Sequence, residues 1–190
     1  HHQDEEARRS GRKYLVYIVG GSVGLVLPAM IACYLASGTL EFAAQGFLDG
    51  RIGEGSALVL VLMFVFGLAK AAVMPLHAWL PAAMVAPTPV SALLHAVAVV
   101  KVGAFSIFRV LTGVFGVGLL DRLGLGTLVG VLASVTVLTA SLIALSQDGL
   151  KRRLAFSTIG QLSYIVLGAA LLSPKGLTGG LLHIAMHAFG

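Results

Sequence analysis

The chain has 190 residues, of which 57% are hydrophobic and only 11% charged, with a net charge of +5 and a single cysteine. A soluble domain carries about 25% charged residues, so this chain cannot coat itself for water, and several of its apolar runs reach the roughly 20 residues that span a hydrocarbon core. It is predicted to be an all-α, polytopic transmembrane bundle; its cations collect at helix ends, where topology rather than nucleic acid accounts for them.

Residues 1–13 form a polar lead-in with Arg8, Arg9, Arg12 and Lys13. Residues 14–36 read as the first span. Gly20, Gly21 and Gly24 would let a neighbouring helix approach, Pro28 would kink it, and Cys33, mid-span, serves packing. A polar loop follows over 37–56, with a weak amphipathic signal. The second span starts near Ala57 and holds Lys70 before Pro75. Proline removes a backbone donor and clashes with the turn before it, so the helix is expected to break between Lys70 and His77 and resume briefly through Trp79. Residues 80–89 are a connection without a charge. The third span covers 90–111 with His95 and Lys101, the fourth 127–145, and the fifth 154–172 after the charged loop 147–153. The sixth begins near Leu177 and is unfinished at Gly190. That makes five full helices and a partial sixth in one transmembrane domain over 1–190. Both ends read as cut from a longer protein.

Short loops rich in Lys and Arg stay in the cytoplasm. Four expected spans separate the cluster at 8–13 from the cluster at 151–153, so both fall on one side. That side is predicted to be the cytoplasm, with the connection at 80–89 beside it.

Chemistry is expected where charge sits in apolar sequence. A lysine at bilayer depth costs roughly 2.5–3.5 kcal/mol on insertion scales unless paired or wetted. Lys70 lies about 21 Å of helix from the preceding polar loop at about 1.5 Å per residue, deep for snorkelling unless the helix ends soon after. Lys101 has apolar residues for a turn on each side. Burial favours a neutral amine and a nearby carboxylate a charged one, so such a group can load and unload a proton. His95, one turn after Ser91, fits a relay group or a structural donor equally. His183 and His187, at i and i+4, share a helix face. Zinc would need more ligands than the sequence supplies, which leaves a proton relay or packing. His77, between Pro75 and Trp79, fits an interfacial structural role. The expected spans after Ala57 contain no carboxylate, so a counter-charge for either lysine must come from elsewhere.

The run from Lys70 through Met74-Pro75-Leu76-His77-Ala78-Trp79-Leu80-Pro81, Ala86-Pro87-Thr88-Pro89-Val90-Ser91 to His95 resembles the core of the antiporter-like subunits of respiratory complex I, of Mrp-type multisubunit cation/proton antiporters and of membrane-bound hydrogenases. Leu150-Lys-Arg-Arg-Leu-Ala-Phe-Ser-Thr-Ile-Gly-Gln-Leu-Ser-Tyr164 and His183-x-x-x-His187-Ala-Phe189 resemble it too. Ala-Val-Ala-Val-Val-Lys101 with Gly-Leu-Thr-Gly-Gly-Leu-Leu-His183 looks most like the D-type member of the Mrp antiporter set. The resemblance implies that Lys70 is the proton-carrying lysine beside a helix break. It implies that His95 and Lys101 connect onward, and that His183 and His187 lead along a central hydrophilic axis. The glutamate paired with Lys70 would lie upstream of His1, and a further lysine beyond Gly190.

The expected function is therefore proton translocation in a multisubunit antiporter exchanging protons for a monovalent cation (Na+ or K+) beside other membrane subunits, in a bacterial-type inner (plasma) membrane. The alternatives are a proton-pumping subunit of an NADH-quinone oxidoreductase or hydrogenase, and a purely structural anchor. No cofactor is expected: the sequence has no feature for NADH, flavin or iron–sulfur.

Overall fold

The computed structural model describes residues 5–93 and 99–189, and these form a bundle of helices. Helix α1, Glu5–Gly21, runs through one π-helical turn, Ser22–Val26, into α2, Leu27–Ser37. The basic lead-in is thus already helical from Glu5. Pro28 takes the first turn of α2, where its missing N–H costs least, and the wide turn before it accommodates the ring. Arg8–Ser37 and α8 (Leu125–Leu145) are both long and apolar enough to cross a membrane, with mean hydropathy 2.1 and 2.3.

The weak helical signal between the first two spans is not realised: residues 39–53 are irregular. The loop folds back instead, with the amides of Ala43 and Phe47 donating to the carbonyls of Gly113 and Val114 and Leu48 fully buried.

The second span, α3 (Glu54–Gly67), ends earlier than expected, three residues before Lys70. Gly67 lies where a side chain would meet Val26 Cγ2 at 2.7 Å, and Gly21 faces the Gly67 carbonyl equally closely. This crossing of small residues brings α1 and α3 into backbone contact. Gly20 and Gly24, expected to share in it, have nothing within 4 Å.

After α3 the chain makes a 3-10 turn at Ala69–Ala71, a left-handed residue at Ala72 and a cis Met74–Pro75 bond. It re-forms only as the short α4, Trp79–Ala82, and a 3-10 turn at Ala83–Val85. Freed backbone groups in such a break need partners. Trp79 Nε1 donates to the Ala69 carbonyl at 2.8 Å, and the Met74 amide donates to Thr136 Oγ1 on α8 at 3.3 Å. Trp79 is fully buried. The ring braces the break from inside the bundle.

The third span comprises α5 (Thr88–Leu93) and α6 (Val99–Val110), followed by a π turn, Leu111–Phe115, and the short α7, Val117–Arg122. Arg122 pairs with Asp49 of the earlier loop at that end. Helix α9, Leu150–Ala170, begins four residues sooner than expected. Lys151, Arg152 and Arg153 therefore form its first turn rather than a loop, and the Arg153 amide donates to the Gly149 carbonyl to start the helix. Helix α10 spans Pro174–Phe189, with proline opening it and the Ser173 hydroxyl accepting the Gly176 amide at 3.1 Å.

Helix α9 packs on α8 along its length and on α10 through glycines: a side chain at Gly168 would lie 2.8 Å from the Gly176 carbonyl and 3.0 Å from Gly180 Cα. Outward faces carry exposed Val16, Val23, Leu35, Leu138 and Leu142, a surface suited to lipid or neighbouring apolar helices.

Candidate functional site

Three helices converge on a polar seam inside this apolar bundle. Lys101, on α6, is only 5% exposed, and its Nζ donates to the main-chain carbonyl of His187 on α10 at 2.9 Å. One turn back on the same face, His183 Nε2 lies 2.7 Å from Gln161 Oε1 on α9. The rings of His183 and His187 are 6.3 Å apart, and the Tyr164 ring sets its edge against His183 at 5.9 Å. The close glycine packing of α9 on α10 fixes this register.

Three buried side-chain atoms have no hydrogen-bond partner among the described residues: His187 Nδ1 in the seam, Ser163 Oγ on α9, and His77 Nδ1 in the broken segment. Buried polar atoms are nearly always satisfied, often by internal water. His187 Nδ1 therefore marks the seam as a place that internal water can occupy.

Lys70 reaches α6 by another route. A side chain at Gly103 would meet the Ala71 amide at 2.4 Å, the Lys70 carbonyl carbon at 2.5 Å and Lys70 Cβ at 2.7 Å. The break that carries Lys70 thus lies directly on the backbone of α6, two residues beyond Lys101 and about 200° around the helix at roughly 100° per residue. Lys70 is half-buried in its 3-10 turn, and its amine makes no hydrogen bond or ion pair among the described residues.

The structure thus brings Lys101, His183 and His187 together and sets Lys70 across α6 from them; His95 lies outside the described residues. His77 stands apart from the seam, with its ring 6.1 Å from Phe156. Gln161 and Tyr164 were not singled out from sequence. The available signal was the polar spacing Gln161, Ser163, Tyr164 in an otherwise apolar helix.

A helical membrane protein with one span broken beside a lysine and a second lysine buried among histidines is the class that this fold and site define. The profile described as "NADH:quinone oxidoreductase/Mrp antiporter, TM" matches residues 1–190, and the chain belongs to that family. It is 38% identical over 176 residues to the NAD(P)H-quinone oxidoreductase chain 5 of Picosynechococcus sp., covering 89% of this chain and 25% of that protein. It is 36% identical over 202 residues to the hydrogenase-4 component B of Escherichia coli, covering 98% of this chain and 29% of that one. A chain in the solved structure of the Mrp complex from Dietzia sp. superposes with TM-score 0.80 at 27% identity, over 98% of this chain and 20% of the other. The chain therefore spans about a quarter of the length of these relatives.

Proposed function

We propose that this chain is the proton-conducting part of an antiporter-like membrane subunit, in which protons pass between Lys70, Lys101, His183 and His187 through internal water, with His95 as a connecting group. The observation that carries this reading is the Lys101–His187 contact: a buried amine held against the backbone of α10, one turn from a second histidine that is itself hydrogen-bonded. An amine so placed can exchange a proton with water without losing its anchor, because the carbonyl accepts from either protonation state. The glycine contact at Gly103 supports coupling, since any movement of the broken segment presses on the helix that carries Lys101.

Within this reading the chain serves a multisubunit cation/proton antiporter of the Mrp type, exchanging protons for Na+ or K+ beside other membrane subunits. The basic ends of α1 and α9 face the cytoplasm of a bacterial inner membrane. The likeness to the solved Mrp complex supports that assignment. The identities with quinone oxidoreductase and hydrogenase relatives support a second reading, a proton-pumping subunit of a redox complex. Sodium- or potassium-dependent proton movement in vesicles, without a redox substrate, separates the two.

The relay is tested with Lys70→Ala in the full-length, assembled protein. Proton transport should be abolished with assembly intact, whereas a purely structural subunit would transport normally or lose transport only with its assembly.

A further inference from the structure

We propose that the cleft at the basic end of the bundle holds the phosphodiester headgroup of an anionic phospholipid. The cleft encloses about 700 Å³ and is lined by Arg9 and Lys13 from α1, Lys151 and Arg152 from the first turn of α9, and His77 and Phe156. Among the described residues, no carboxylate lines it. Topology requires cations at this end of the spans, but it does not require them to face one hollow from two helices. Like charges so gathered repel, and those on α9 also sit at the positive end of a helix dipole with no acidic residue in the turn. Part of this charge is held: Lys151 Nζ donates to the Ala86 carbonyl at 3.3 Å. Arg9, Lys13 and Arg152 have neither a hydrogen bond nor an ion pair among the described residues.

Two features favour a lipid over a soluble anion. Part of the cleft lining is apolar, with Met84, Val85 and the buried Phe156 beside the charges. Immediately below Lys13, the outer face of α1 exposes Leu15, Val16 and Val19 by 58%, 64% and 51%, and α9 exposes Leu154 below Arg152. A headgroup seated among the cations would lay its acyl chains on that track. Basic pockets between spans on the cytoplasmic side suit such headgroups.

The test uses the full-length protein in its assembled complex, delipidated and then titrated with phosphatidylglycerol or phosphatidylcholine, with retained lipid counted by native mass spectrometry. Phosphatidylglycerol should be retained preferentially. Lys13→Gln/Arg152→Gln should weaken its retention about 30-fold, from about a factor of five per neutralised cation. Lys175→Gln, in the first turn of α10 and beyond the far end of α9, should leave it unchanged. Equal retention of the two lipids by the wild type overturns the proposal without recourse to a variant, as does a double variant that binds like the wild type. Displacement of the lipid by millimolar inorganic phosphate would assign the cleft to a soluble anion instead. Arg152→Gln alone, which leaves the α1 cations that set topology, replaces the double variant if that one fails to insert.

Discussion

Lys101 on α6 donates its amine to the main-chain carbonyl of His187 on α10, 2.9 Å away and 86 residues on in the chain. Replacing Lys101 with Met keeps the volume of the stem, removes the proton carrier and leaves the carbonyl open to water. A buried charged group is weak support for stability, and an apolar isostere often folds as well. Lys101→Met should therefore assemble normally, while proton transport falls by roughly 10²-fold or more, the scale of a lost positioned proton donor. Transport by reconstituted vesicles, normalised to assembled complex, is the measurement. Normal rates would remove Lys101 from the relay.

Gln161 holds His183 from a different helix. With the amide oxygen facing the ring at 2.7 Å, the neutral imidazole carries its proton on Nε2 and leaves Nδ1 to accept. Gln161→Leu frees the ring to turn and costs about 1 kcal/mol of hydrogen bonding, which corresponds to roughly five-fold in rate. Gln161→Glu keeps an acceptor at the same reach and should retain more transport than Gln161→Leu. If Leu and Glu are equally impaired, the contact does not position His183.

The limits of sequence reading follow from these two contacts. The spans, the break around Pro75 and the apolar setting of both lysines were legible because each depends on local order: run length, proline and charge. The close approach of Gly21 to Gly67 at the end of α3 was not, because it joins residues far apart in the chain. The pairing of Gln161 with His183 depends on the glycine register between α9 and α10. The hydrogen bond from Trp79 to the Ala69 carbonyl depends likewise on how the chain folds back after the break. Polar groups inside membranes choose partners by tertiary proximity, which a single chain of letters does not display.

That brace can be tested directly. Trp79→Phe keeps an aromatic ring against Tyr14, whose centroid lies 5.5 Å away, but deletes the Nε1 donor. The Ala69 carbonyl still receives the Ala72 amide at 3.0 Å, so the loss should be about 1 kcal/mol rather than the full cost of a buried orphan. A modest fall in the thermal unfolding midpoint of the assembled complex is expected, with transport retained at low temperature. An unchanged midpoint would show that the break is braced by other contacts.

The strongest steric prediction concerns Gly103. An added Cβ would come within 2.4 Å of the Ala71 amide nitrogen and 2.5 Å of the Lys70 carbonyl carbon. Both are backbone atoms, so no flexible side chain can yield. Either α6 or the broken segment must shift, at the roughly 1–3 kcal/mol typical of overpacking. Because the displaced segment carries Lys70 and the helix carries Lys101, Gly103→Ala should impair transport more than assembly. Gly118→Ala, at a glycine with nothing within 4 Å, should change neither. Equal tolerance of both substitutions would mean that Lys70 and α6 do not depend on this contact to work together.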